Sequence, residues 1–542
     1  MGKNDVWDGI EQVVGLAIGK GENELPRRPP ALSLAFPLIL GIKSASRPTF
    51  TPPTCELAMA AILPRRELVW QMGNGFAGVA LAGLLEQDGY FARTAAAAGR
   101  DNTTQPAGPL SPRPVHFTTK AKACIFLMMN GAPSQVDTFD YKPALEKYAG
   151  QPLPPGRKYI NSGGRRVGFL TPSFRPFRPG GQSGLMISDY FPNVRRHADK
   201  LAVIRSCHTD SHAHGSALVA MNTGKTFIGR PSLGAWCTYG MGTENQSLPG
   251  YVVILDKRGG PISGQPNWSS GFLSAAYQGT LFRPTGDPIL DLRGPRQITP
   301  DIQRQQLDLL QQLNQEHLSQ RSGGDDLAAR INSYELAWRM QSAAPEAVDL
   351  AQESRTTLDM YGVGRQPTDE FGRNCVVARR LVERGVRFVQ LYSGGGHLEE
   401  TWDAHESIEK NHGRHGAEVD QPIAALLTDL EQRGLLDETL VIWGGEFGRM
   451  PFSEGPNAPG RNHNPYGFSM WLAGGGVRGG IAWGETDEFG FEAVVDRVHL
   501  HDLHATILHL MGFDHTRLTA FHQGRDERLT DVFGNVVTGV IA

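Results

Sequence analysis

Glu446 stands near the end of the stretch "TLVIWGGEFGRMP" (439–451), just after a glycine pair and three residues before Arg449. A strand that stops this abruptly delivers a side chain to a site, where a carboxylate can hold a metal ion or pair locally with Arg449. Asp403 and His405, in "GGGHLEETWDAHESIEKNH" (394–412), are two residues apart, so in extended backbone both point the same way. A carboxylate oxygen and an imidazole nitrogen on one side supply two ligands of a catalytic zinc site; the alternative is a structural hydrogen-bonded pair. His463, in "GRNHNPYGFSMWLAGGG" (460–476), precedes the strand-like "FSMWLAG", and the Asn and Pro beside it mark a shaped loop. Asp210, Ser211, His212 and His214 lie in "RSCHTDSHAHGSALVAMNTGK" (205–225), where a strand pattern gives way to a helical one. A helix N-terminus there presents backbone N–H groups and a positive dipole end to an anion.

These residues need elements to bring them together. "ACIFLMM" (123–129) reads as a buried strand that breaks at Asn130-Gly131. Residues 374–396 read as helix then strand, and 419–449 repeat that order. Alternation of this kind predicts an α/β fold, a largely parallel sheet with helices on both faces, whose ligand sites lie beyond the carboxyl ends of the strands. Glu446 falls at such an end. Residues 301–358 carry helical periodicity and no strand signal, and are expected to form a helical insertion.

The chain has 542 residues, 40% hydrophobic and 20% charged, with a formal net charge of −3. That composition is globular, and the absence of a basic stripe argues against nucleic acid as a partner. The cysteines show no CxxC pair and no metal-finger spacing, so no disulfide framework is expected. Eleven of the seventeen histidines fall between His397 and His522, which directs the search for metal chemistry to the C-terminal part.

Arg65 and Arg66 precede a weakly apolar stretch from Met72 to Leu85, and a linker-like tract follows. We read 63–92 as an export signal of the twin-arginine type, 93–114 as a linker and 115–542 as the mature domain. The apolar run is too short to span a bilayer, for which about 20 residues are needed, so no stable transmembrane segment is expected once the signal is removed. Residues 1–62 form a poorly defined extension; a start codon assigned too far upstream is the expected explanation, and a cytoplasmic extension the alternative. Export by this route places the protein in the periplasm or at the cell surface.

The stretches "LMMNGAPSQVDTFDYKP", "HTDSHAHGSALVAMNTGK", "GRPSLGAWCTYGMGTEN", "WDAHESIEKNH", "VIWGGEFGRMP" and "GRNHNPYGFSMWLAGGGVRGG" together resemble the DUF1501 family, exported bacterial proteins abundant in planctomycetes. The resemblance runs from about Arg65 to the C-terminus. That family is grouped with the alkaline phosphatase superfamily of sulfatases, phosphodiesterases and phosphoglycerate mutases, so the resemblance implies an alkaline-phosphatase-like fold. It also implies metal ligands, position by position. Asn130 matches the Asp that ends the superfamily's first strand, Asp403 and His405 match its later Asp and His, Glu446 matches the carboxylate of its Asp-His pair, and His463 matches its last histidine. Phe447 falls where that pair has its histidine, and Asn130 is a weaker ligand than Asp. One divalent ion is therefore expected, zinc first, with manganese or calcium as alternatives. The closing helix "HDLHATILHLMG" (501–512) makes His504 and His509 packing or surface residues.

No C/S-x-P-x-R frame exists, which disfavours formylglycine sulfatase chemistry. Ser134, Ser211 and His214 are nucleophile candidates, Asp210 and His214 look characteristic of the family, and attack by water activated at a metal would need no nucleophile. Arg449 or Arg461 would meet oxyanion charge. The expected function is an exported, metal-dependent hydrolase of phosphate or sulfate esters. The competing expectation is a non-catalytic surface protein that binds anionic polysaccharide through a degenerate metal site. The sequence sets no oligomeric state.

Overall fold

The computed structural model describes residues 108–542, apart from 156–166, 284, 295–296, 320–324, 397 and 455–458. The expected extension (1–62) and export signal (63–92), and most of the linker (93–114), lie outside the described residues.

Among the described residues nine strands form the central sheet: β1 (Ala123–Met129), β2 (Leu201–His208), β3 (Tyr251–Ile254), β4 (Thr280–Phe282), β5 (Phe388–Ser393), β6 (Thr439–Gly444), β7 (Phe468–Ala473), β8 (Ile481–Trp483) and β9 (Val498–His499). Their order is β8-β2-β7-β6-β1-β5-β3-β4, with β9 also paired to β2. Only β7 runs against the others. The carboxyl ends of β1, β2, β5 and β6 therefore open onto one edge of the sheet.

The helices that connect these strands are α1 (His214–Thr223), α2 (Leu233–Met241), α3 (Pro300–Ser319), α4 (Asp325–Val348), α5 (Asp369–Glu383), α6 (Ile408–Gln432) and α7 (Leu500–Leu510). Segment 301–358 contains most of α3, all of α4 and the first part of a short helix, Arg355–Met360. Every residue of β1 is buried, as a strand covered on both faces requires. Alternate side chains serve opposite faces. Ile125, Leu127 and Met129 join a core with Ala344 of α4, Val376 of α5 and Ile423 of α6. Cys124, Phe126 and Met128 join a second core with Leu218 of α1, Trp236 of α2 and Ile507 of α7. The result is a mixed α/β domain with a largely parallel sheet between two helical layers.

Cys124, Cys207, Cys237 and Cys375 are buried and free. Among the described residues no helix is long and apolar enough to cross a membrane.

His504, on the buried face of α7, shows how this core constrains titration. Its Nε2–H donates to the Met221 carbonyl at 2.8 Å, and its Nδ1 has no partner. Burial holds its pKa at about 3, against the upward pull of the Met221 hydrogen bond. A histidine in the unfolded chain titrates near 6.5, so between about 6.5 and 3 the unfolded state binds the extra proton and stability falls as pH falls. We expect urea unfolding to show a loss of about 1.4 kcal/mol per pH unit from this group as pH drops through that window. His504→Gln, which keeps a donor for Met221 without a titrating ring, should flatten the slope; an unchanged slope would contradict the assignment.

Candidate metal centre at the carboxyl ends of the strands

Four chain segments leave the sheet at this edge. After β1 the chain turns through Asn130, Gly131 and Ala132. After β2 it runs through Thr209–Ala213 into α1, whose first residue is His214. After β5 it loops through 394–405, and after β6 it passes Gly445, Glu446 and Phe447 into a two-residue ribbon that pairs Gly448–Arg449 with His463–Asn464. Gly131 has φ 105°, and a Cβ there would lie 2.5 Å from Thr401 Oγ1 and 2.7 Å from the Asp403 amide. Only glycine lets the loop carrying Asp403 close against the end of β1.

The groups meet at one atom. Asp403 Oδ1 lies 2.9 Å from His405 Nε2, 3.3 Å from His214 Nε2, 3.3 Å from His463 Nε2 and 2.6 Å from Arg449 Nη2. His405 Nε2 and His463 Nε2 are 2.9 Å apart. Each imidazole is also backed on its far nitrogen. His214 Nδ1 is 2.6 Å from Glu446 Oε1, His405 Nδ1 is 2.5 Å from Glu454 Oε1, and His463 Nδ1 is 2.7 Å from the His212 carbonyl.

Those backing groups fix the tautomers. A carbonyl or carboxylate oxygen only accepts, so all three Nδ1 atoms carry hydrogen and donate. In the neutral rings the Nε2 lone pairs then converge on Asp403 Oδ1 and on one another. Buried lone pairs do not crowd together unless a cation sits among them, either a proton on one ring or a metal ion. His214 Nε2 is a buried nitrogen without an aligned hydrogen bond, despite its 3.3 Å approach to Asp403. His214, Asp403 and His463 each offer one ligand atom, all within 4.8 Å of one another, with His405 Nε2 beside them. Imidazole nitrogens hydrogen-bonded through their far side, plus one carboxylate, are the donor set of a divalent transition ion.

The electrostatics of the pair His214 and His463 differ in sign. Burial alone would lower the His214 pKa, but the Asp403 and Glu446 carboxylates beside its two ring nitrogens raise it above the usual histidine value. Burial drives His463 down to about 3, helped by the Arg449 charge and opposed by Asp403. Burial alone would raise the Asp403 carboxyl; the Arg449 guanidinium and the three imidazoles hold it far below the usual carboxylate range.

Of the residues expected at the site, Asp403, His405 and His463 share the centre. Glu446 sits behind His214, accepting from its Nδ1 and from the Gly131 amide. Asn130 turns away, its side-chain amide donating to the Gly394 carbonyl at 3.1 Å. Ser134 is bonded to other partners: its hydroxyl donates to Asp137 at 2.5 Å and its amide to His412 Nε2 at 2.9 Å. Asp210 is largely exposed and pairs with His499. Arg449 and Arg461 are both fully buried. Arg461 is engaged by Asp137 and by the Thr171 and Pro172 carbonyls, so neither arginine faces outward to meet substrate. Sequence reading missed Glu454 and the His212 carbonyl, and read His214 as a catalytic residue although its ring reaches the same carboxylate as the expected ligands. The His-x-His spacing of 212 and 214 was the available signal.

These features define an α/β protein with a candidate metal centre beyond the carboxyl ends of its sheet. The chain belongs to the family described as "Protein of unknown function (DUF1501)", which matches residues 121–541. No curated protein matches it. Among solved structures it is similar to the lipoteichoic acid synthase LtaP from Listeria monocytogenes, with 8% identity over 78% of each chain and a TM-score of 0.33. It is also similar to the PsFucS1 sulfatase from Pseudoalteromonas sp., with 12% identity over 72% of this chain and 68% of that one and a TM-score of 0.31. A third is a protein in the alkaline phosphatase superfamily from Vibrio parahaemolyticus, with 9% identity over 77% and 73% and a TM-score of 0.29.

In metal-free protein, NMR titration of the imidazoles should find His214 protonated above pH 6.5 and His463 neutral until about pH 3. Glu446→Gln should lower the His214 value. Two histidines both titrating near 6.5 would contradict this arrangement.

Proposed function

We propose that this protein is a metal-dependent hydrolase of phosphate or sulfate esters whose ion is held by His214, His405, His463 and Asp403. The convergence of three Nδ1-backed imidazoles on one carboxylate oxygen carries the reading. A divalent ion held by these residues would supply Lewis-acid chemistry and would lower the pKa of water toward about 7. The chain's own residues do the rest. Glu446, Glu454 and the His212 carbonyl hold the three rings in the tautomer that presents Nε2. α1 begins at His214, so its positive end adds to the cationic character of the centre and favours an anionic substrate group. Of the two candidate serines, Ser134 is bonded to Asp137 and Ser211 Oγ lies 2.6 Å from Ser216 Oγ, each hydroxyl bonded away from the three imidazoles. The reading therefore uses water rather than a covalent intermediate. Phosphate and sulfate esters are the substrate class implied by the motif resemblance described above. Zinc is the ion the nitrogen-rich donor set favours, ahead of manganese or calcium.

One observation favours a second reading, a non-catalytic surface protein that binds anionic polysaccharide. Phe447 packs its ring 4.8 Å from that of His214 and 4.7 Å from that of His463, an apolar wall against two of the ligands. A panel of chromogenic phosphate and sulfate esters with zinc-loaded protein separates the two. We expect turnover, and a loss of about 100-fold or more in Asp403→Asn and His463→Ala. Bound zinc without turnover on any ester would favour the binding protein.

We also propose export by the twin-arginine route, to the periplasm or cell surface, with 63–92 as the signal. A reporter fused after residue 114 should be exported, and Arg65→Lys with Arg66→Lys should retain it in the cytoplasm. Equal export of both would remove this assignment.

A further inference from the structure

We infer that the centre takes a single metal ion and that the Arg449 guanidinium is its permanent second cation, a positioning residue for Asp403 rather than a contact for substrate. This rests on the metal-centre reading above.

Arg449 is wholly buried, and every hydrogen-bonding nitrogen of its side chain is engaged. Nη2 lies 2.6 Å from Asp403 Oδ1 and also donates to the Gly131 carbonyl; Nε donates to the Ala132 carbonyl at 2.9 Å, and Nη1 to the Arg461 carbonyl at 3.1 Å. Three backbone carbonyls and one carboxylate are an all-oxygen set of the kind that hard cations take. Here the side chain supplies the positive charge itself, and arginine does not lose it at any physiological pH. The backbone is shaped for this. Gly131 and Ala132 have φ 105° and 68°, two successive residues in the left-handed region, and both of their carbonyls go to Arg449. A non-glycine residue keeps such a conformation only where its surroundings hold it.

Sites with two metals place the ions about 3.5–4 Å apart and bridge them through shared oxygens. Arg449 Nη2 already occupies the approach to the oxygen that would be shared. The remaining candidates for a second ion are committed elsewhere. Glu446 accepts from Gly131 and His214, and Asn130 gives its amide to Gly394. Among the described residues one cluster of metal-binding groups exists, and it contains Asp403. The guanidinium also competes with the ion for Asp403 Oδ1, which lowers metal affinity while fixing the carboxylate in place.

The test uses the full chain, stripped of metal, titrated with zinc by calorimetry, with bound metal counted by mass spectrometry. The wild type should bind one zinc per chain. Arg449→Gln keeps a donor for Asp403 but removes the charge, and should bind zinc about tenfold more tightly. Arg449→Lys retains a cation beside Asp403 and should bind zinc more weakly than Arg449→Gln. Two zinc ions per wild-type chain would overturn the inference and leave the metal reading standing. Unchanged affinity in a folded Arg449→Gln protein would also overturn it. No zinc bound to wild type would remove the metal reading, and the inference with it. If the glutamine variant does not fold, the wild-type count still decides whether one ion or two is held, and the lysine variant's affinity still reads the role of Arg449.

Discussion

A single oxygen, Asp403 Oδ1, is the point on which the site depends. A carboxylate taken out of water costs far more than any one hydrogen bond returns, so it survives only when surrounding charge and donors compensate it. Here three imidazole nitrogens and one guanidinium nitrogen lie within 3.3 Å of that atom. They come from the helix after β2, the loop after β5 and the ribbon after β6. Each of these segments is tied to the others through the carboxylate before any ligand is considered.

The rest of the fold makes that convergence possible. β1, β5 and β6 are adjacent and parallel, and their side chains fill two cores, which leaves little freedom in where their carboxyl ends point. The end of β1 contributes no ligand, but it contributes the Gly131 amide to Glu446 and two carbonyls to Arg449. Glu446 in turn holds His214, and Phe447 beside it walls the rings of His214 and His463. Backing groups set the tautomer of each histidine, so the chemistry available at Nε2 is decided one bond further out, at Glu446, Glu454 and the His212 carbonyl.

Much of this was legible in the sequence. The apolar run 123–129 is β1, the helix-then-strand order of 374–396 is α5 and β5, and the helical periodicity of 301–358 is α3, α4 and a short helix, because hydrophobic spacing reports burial directly. Asp403, His405 and His463 stood out because ligand-type residues at strand ends carry their own signal. What sequence could not supply was the direction of side chains set by distant partners. Asn130 is turned by a carbonyl 264 residues away, and Arg449 is claimed by carbonyls of Gly131 and Ala132 more than 300 residues away. Ser134 has a hydroxyl of the right kind, but Asp137, three residues on, takes it. Glu454 lies in a loop with no periodicity, and its role behind His405 exists only in the folded chain.

X-ray absorption spectroscopy at the zinc edge of zinc-loaded protein tests the central claim most directly. The account predicts a first shell of three imidazole nitrogens and one carboxylate oxygen at about 2.0–2.2 Å. A shell with fewer than two imidazoles, or one built of oxygen or sulfur alone, would contradict it.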